Sequence, residues 1–269
     1  MGAPKLVLRD QGQAFVNVAT PILETRNLEK RFGGVAAVDG VNFALNKGEL
    51  RCLIGPNGAG KSTFFKMLTG QIRPTRGRIL LEGQDIVGVE PYAIGRRGVG
   101  IKNQVPVVMD GLRVRENLWL AARAFRKGAA IAAAIDAIIE RLDLGPILGR
   151  FVGELAHGQR QWVEIAMVIV CEPTVVLLDE PAAGMSDEET SRTAALVLEL
   201  NKSATIVVVE HDMQFIRQIA RTVTVFHQGR ILVEDSFAKV VANPVVRDVY
   251  VGRQGVKPSA GDRRTAFGV

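Results

Sequence analysis

Residues 55–63 read Gly55-Pro56-Asn57-Gly58-Ala59-Gly60-Lys61-Ser62-Thr63, a complete GxxxxGK[ST] pattern, and no other feature restricts the fold as tightly. The run 50–54 before it is short and mostly apolar, fit for a buried strand, and a helix is expected over 61–68. A strand that turns through glycines into a helix makes a cradle for phosphate. The glycines let main-chain N–H groups curl inward without Cβ clashes, and the helix N-terminus adds the positive end of its dipole. In that arrangement Lys61 reaches the β- and γ-phosphates, Ser62 ligates Mg2+ and Thr63 reaches the α-phosphate. The pattern points to nucleotide binding and leaves the family open.

A second chemical feature lies at residues 175–180, where Val175-Val176-Leu177-Leu178 runs into Asp179 and Glu180. Parallel strands deliver side chains to a ligand crevice at their carboxyl ends. There Asp179 is placed to hold Mg2+, mostly through water, and Glu180 to orient or deprotonate an attacking water. Alone, the two carboxylates read equally as a solvated strand end before Pro181. The phosphate loop makes the catalytic reading the stronger one.

The rest of the chain organises around these two strands as an α/β core. Residues 41–45 alternate as a half-buried strand, 78–81 and 99–101 read as further strands, and 174–178 and 204–209 are near-continuous β-branched or Leu runs typical of parallel strands covered on both faces. A helix over 188–200 between the last two completes a βαβ unit. Residues 223–226 and 231–233 flank Gln228-Gly229 and predict an antiparallel hairpin. Between the two halves of the core, from about residue 105 to 170, the sequence turns helical and Ala-rich. Ile131, Ile135, Ile138, Ile139 and Leu142 share one helical face, and Asp143-Leu144-Gly145-Pro146 stops it. The expected organisation is an extension over 1–22, a nucleotide-binding domain over 23–252 with the helical subdomain inserted, and a mobile tail over 253–269.

Composition narrows the setting. The chain has 269 residues, 47% hydrophobic and 23% charged, with net charge +6. It is long enough for a large core and too apolar to be disordered. The positive balance suits a nucleic-acid or anionic membrane surface, but no dense Lys/Arg run accompanies it, so a mildly basic soluble protein is the plainer reading. Cys52 and Cys171 sit among apolar residues and read as buried thiols in a reducing compartment. With only three histidines, a His/Cys metal cluster is not expected. Neither a signal peptide nor a stretch approaching the roughly 20 apolar residues of a membrane span is evident.

Three further elements carry a family resemblance. Gln104 follows Val99-Gly100-Ile101; Leu155-Ala156-His157-Gly158-Gln159 opens a strongly apolar helix; His211 follows the strand at 204–209. In the order phosphate loop, Gln104, 155–159, acidic strand, His211, these residues resemble the motif set of ABC ATPases, over about residues 23–252. The resemblance implies an ABC ATPase core, a mostly parallel sheet with helices plus an antiparallel β subdomain, carrying an inserted α-helical subdomain. It implies that Gln104 contacts Mg2+ and reports nucleotide state to the helical subdomain, that His211 contacts the γ-phosphate, and that Ala156, His157, Gly158 and Gln159 face ATP held by a second subunit. Phe32, in Arg31-Phe32-Gly33-Gly34, resembles the aromatic that stacks on adenine; it reads equally as a core residue.

The blocks Glu180-Pro181-Ala182-Ala183-Gly184-Met185 and Val209-Glu210-His211-Asp212-Met213 resemble ATP-binding subunits of branched-chain amino acid importers. Glu49-Leu50-Arg51-Cys52, 155–159 and 184–190 resemble the urea-import branch of that group more closely. Such a subunit hydrolyses ATP with Mg2+ on the cytoplasmic face of the plasma (inner) membrane. Its expected partners are integral membrane permease subunits, a second ATP-binding subunit in a heterodimer or homodimer, and indirectly an extracytoplasmic solute-binding protein; no nucleic acid is expected. The other readings are a cytosolic ABC ATPase driving assembly, repair or translation machinery, and a non-hydrolysing nucleotide-binding regulator. Two departures stand out. Ala156 and His157 replace the Ser and first Gly of the LSGGQ signature, and Lys102-Asn103 precede Gln104 where an aromatic is expected.

Overall fold

The computed structural model describes residues 20–103 and 107–251. In chain order the elements are β1 (Leu23–Phe32), β2 (Val35–Leu45), β3 (Leu50–Ile54), α1 (Lys61–Leu68), β4 (Arg76–Leu81), β5 (Gln84–Asp85), α2 (Pro91–Arg96), β6 (Val99–Lys102), α3 (Val114–Ala122), α4 (Ala129–Arg141), α5 (His157–Ile169), β7 (Val175–Asp179), α6 (Asp187–Asn201), β8 (Thr205–Val209), α7 (Met213–Ile219), β9 (Thr222–His227), β10 (Arg230–Ser236), α8 (Phe237–Ala242) and α9 (Pro244–Val251).

The strands make two sheets. The larger has order β10-β9-β3-β8-β7-β6, parallel throughout except for β10, which returns antiparallel along β9. The smaller, β2-β1-β4-β5, is antiparallel. Every residue of β3, β7 and β8 is buried, as expected for central strands sandwiched on both faces. Alternate residues feed different cores. Cys52, Ile54, Val176, Leu178, Ile206 and Val208 face the inserted helices and α6–α7. Leu53, Val175, Leu177, Val207 and Val209 face α1 and the antiparallel sheet. Phe64 of α1 joins that second core: its ring lies 5.5 Å from Phe43 of β2 and 5.1 Å from Phe226 of β9.

The inserted segment carries α3, α4 and α5. Ile131, Ile135, Ile138 and Leu142 are buried along α4, the face that its periodicity predicts. The helix ends where expected, with Asp143 at φ 50° and a 3-10 turn over Gly145–Ile147. Several edges differ from expectation. β2 begins at Val35 rather than 41, because irregular register around Gly40 hides its alternation. β6 extends to Lys102, which is 2% exposed and not part of a solvated loop. Cys52 is buried as expected, whereas Cys171 is only partly so. Ile22, ahead of β1, is buried and donates its N–H to the Leu45 carbonyl.

Register fixes the site. Leu53 of β3 and Asp179 of β7 both stand opposite Val209 of β8. The carboxyl ends of three adjacent strands, leading to the glycine loop, to Glu180 and to His211, therefore lie side by side at one edge.

Candidate active site

The chain leaves β3 at Gly55 and turns through Gly58 (φ 76°) and Gly60 (φ 103°) into α1. Gly60 is required twice: its φ is left-handed, and a Cβ there would collide with the Ala37 carbonyl. α1 has no side-chain cap and no acidic residue in its first turn. Its N-terminal N–H groups and dipole are thus available to an anion. The Lys61 ammonium donates to the carbonyls of Gly55 (2.6 Å) and Pro56 (3.2 Å), so it already sits across the loop. Burial lowers its pKa, while Glu180 and Asp179 oppose that shift. Phosphate oxygens would replace those carbonyls as stronger, charged acceptors.

Asp179 ends β7 at 6% exposure, and its pKa is pushed up to about 6, by burial first and by the Glu180 charge second, with Lys102 and Lys66 pulling the other way. Such a carboxylate gains from a divalent cation. Among the described residues no group of three or more His, Cys, Asp or Glu could hold a metal alone. The hydroxyl of Ser62 and the carboxylate of Asp179 are hard oxygens of the kind Mg2+ takes when it shares its shell with phosphates and water.

Glu180 follows in a left-handed conformation, φ 48°, rare for a residue with a Cβ. Its N–H donates to the Val209 carbonyl (2.9 Å), which holds the turn against β8. The His211 ring comes to it from the next strand, Nδ1 lying 3.3 Å from Glu180 Oε1. A carboxylate and an imidazole at the mouth of the phosphate loop are the groups needed to orient water and to meet a developing negative charge.

Glu210 was not among the expected site residues. It is 1% exposed, and its carboxylate accepts from the N–H groups of Ala182 (3.1 Å), His211 (2.8 Å) and Asp212 (3.3 Å). It therefore ties the turn that carries Glu180 to the turn that carries His211. The only signal in sequence is a charge at the end of an otherwise apolar strand.

The start of α5 is built differently. Ala156 occupies the N-cap position and cannot accept with its side chain; only the reverse half of a capping box remains, Gln159 Oε1 accepting from the Ala156 N–H at 3.3 Å. Ala156 and His157 are exposed. The His157 ring turns back onto its own chain, Nε2 donating to the Ala183 carbonyl at 2.9 Å, which assigns the tautomer. Gly158 is buried, and a Cβ there would strike the Glu189 carboxylate; Glu189 is the residue that completes the Ser186 capping box of α6. Phe32 is half exposed with Lys30 Nζ 5.1 Å from its ring, so the core alternative for it fails and a surface aromatic remains. Gln104 lies outside the described residues.

A family model described as ABC transporter matches residues 38–183. The high-affinity branched-chain amino acid transport ATP-binding protein BraF of Pseudomonas aeruginosa is 35% identical, the match covering 87% of this chain and 99% of that protein. The corresponding LivG protein of Escherichia coli K12 shows the same identity and coverage. Among solved structures, an ATP-binding cassette of an ABC transporter in its ADP conformation superposes with a TM-score of 0.79 at 30% identity, covering 87% of this chain and all of the other.

Proposed function

This chain belongs to the ABC transporter family of ATP-binding proteins, and we propose that it is the ATP-hydrolysing motor of an importer for a small polar solute, of the branched-chain amino acid or urea class. The observation that carries the hydrolytic part is the convergence of Lys61, Asp179, Glu180 and His211 at adjoining strand ends. Lys61 and the α1 N-terminus hold the phosphates. Ser62 and Asp179, with Gln104, would hold Mg2+, which would supply charge neutralisation at the phosphates. Glu180 orients and deprotonates water, and His211 stabilises the γ-phosphate. The amino acid class is supported by the named relatives; the urea alternative rests on the local likeness of 49–52, 155–159 and 184–190.

The exposure of Ala156 and His157 at the start of α5 supports a dimer. In this reading that helix end meets the nucleotide of a second ATP-binding subunit, so that ATP joins the two chains and hydrolysis releases them. Among the described residues no helix is long and apolar enough to cross a membrane. In this reading the transport path belongs to permease subunits. A groove of about 420 Å³ between β6 and the inserted helices suits a permease segment, lined by Ile101, Val107, Phe125, Met167 and Val168. Val107 and Met109 stand open beside it.

The test is purification of the tagged full-length chain from gently solubilised membranes of its native host, with mass spectrometry of what accompanies it. Integral permeases together with a second, distinct ATPase support the reading. Recovery of soluble or nucleic-acid-bound partners alone replaces it with a cytosolic ATPase of assembly or repair.

A further inference from the structure

Two charged residues away from the phosphate loop are buried against each other. Lys102, the last residue of β6, is 2% exposed, and Glu164, midway along α5, is 6% exposed. Lys102 Nζ lies 3.7 Å from Glu164 Oε2 and donates to the main-chain carbonyls of Asn103 and Asp179, both at 3.3 Å. Glu164 Oε1 accepts from the Val107 N–H at 2.7 Å, while Oε2 has no hydrogen-bond donor among the described residues. Burial disfavours both charges, lowering the lysine's pKa and raising the carboxyl's.

Stability does not account for such a pair. Desolvating two ions costs about as much as their attraction returns, and apolar replacements of similar volume are often neutral or stabilising. What the pair does is join three parts of the molecule. Lys102 grips the main chain of Asp179 at the acidic end of β7. The two residues bracket the chain on either side, at Asn103 and Val107. Glu164 belongs to α5, the helix that begins with 157–159.

We propose that Lys102 and Glu164 are positioning residues, a charged strut that fixes α5 relative to Asp179, so that nucleotide arriving at the acidic strand end shifts the helix that faces the second subunit. This rests on the ATPase reading above. Coupling between sites requires an element whose arrangement both sites bias, and this pair reaches from the main chain of Asp179 to α5.

The experiment uses the full-length chain and, for turnover, its complete membrane assembly. Lys102→Met combined with Glu164→Gln removes both charges and keeps an amide oxygen to accept from Val107. Expected results are a thermal midpoint equal to or above the parent, affinity for a non-hydrolysable ATP analogue with Mg2+ within about threefold, and turnover lower by about tenfold or more, within the usual range of coupling factors. The nucleotide-induced change in amide exchange across 157–169 that is expected in the parent should vanish in the variant. Persistence of that change with parental turnover overturns the strut. So does a parent chain that binds the analogue with no response in 157–169. A parent chain that fails to bind the analogue overturns the ATPase reading instead. Should the double variant not fold, Glu164→Gln alone decides the matter: unchanged turnover and unchanged α5 response overturn the proposal.

Discussion

Nδ1 of His211 stands 3.3 Å from Oε1 of Glu180, although the two residues come from different strands and Glu180 must adopt a left-handed backbone to reach that position. A carboxylate held so, beside the phosphate loop, is fitted to act on water. Glu180→Gln keeps the volume and removes the base. The expected outcome is ATP affinity near the parent's, phosphate release reduced by at least about 10²-fold, and an ATP-bound dimer that persists on gel filtration. Hydrolysis at the parental rate would remove Glu180 from this role.

Glu210 holds the turns of Glu180 and His211 together through three main-chain N–H groups. Glu210→Gln presents an NH2 to at least one of those donors. Leaving a buried N–H without an acceptor costs about 1–3 kcal/mol, which urea denaturation will read as a lower midpoint at unchanged slope. Because both catalytic turns loosen together, turnover should fall more than ATP affinity does.

Ala156→Ser offers the missing half of the capping box at the start of α5. A serine hydroxyl there accepts from the Gln159 N–H while Gln159 continues to accept from residue 156. The gain expected is about 0.5–2 kcal/mol in unfolding experiments. Turnover of the coupled assembly should also change, since the hydroxyl lies where the second subunit's nucleotide is proposed to sit. Neither rate nor affinity moving would count against that placement.

The pH response follows from Asp179, whose pKa is raised to about 6 by burial and by Glu180. A carboxyl raised above its unfolded value favours the native state most when protonated, so its contribution is fully present below pH of about 4 and is lost as pH rises through about 6. Cation binding needs the ionised form and has the opposite sign. Mg2+-dependent nucleotide affinity should weaken as pH falls from neutrality through about 6, and Asp179→Asn should flatten that part of the profile. Calorimetric titration at two pH values, with and without Mg2+, checks both signs.

Local chemistry made much of this legible in advance. α1 runs from Lys61 to Leu68, as its glycine turn and apolar spacing predict. The β9–β10 hairpin turns at Gln228 and Gly229, both at positive φ, as that dipeptide requires. Phosphate loop, acidic strand and His211 meet because parallel strands carry their functional residues at the same end. What stayed hidden depends on partners far along the chain. Glu164 reads as an ordinary polar position on α5 until Lys102 arrives from β6, and Glu210 reads as a strand-end charge until the Ala182 turn closes over it. Gly158 resembles a phosphate-facing glycine in sequence; in the fold its missing Cβ also leaves room for the Glu189 cap. No periodicity encodes such close approaches between distant segments.

The hydrogen bond from His157 to the Ala183 carbonyl links the helix end offered to a neighbour's nucleotide with the turn just beyond this chain's own catalytic carboxylate. In the proposed pair, that bond would give contact at the interface a direct path to the turn after Glu180. On that reading the two nucleotides would be cross-wired, and damage at either one should slow both.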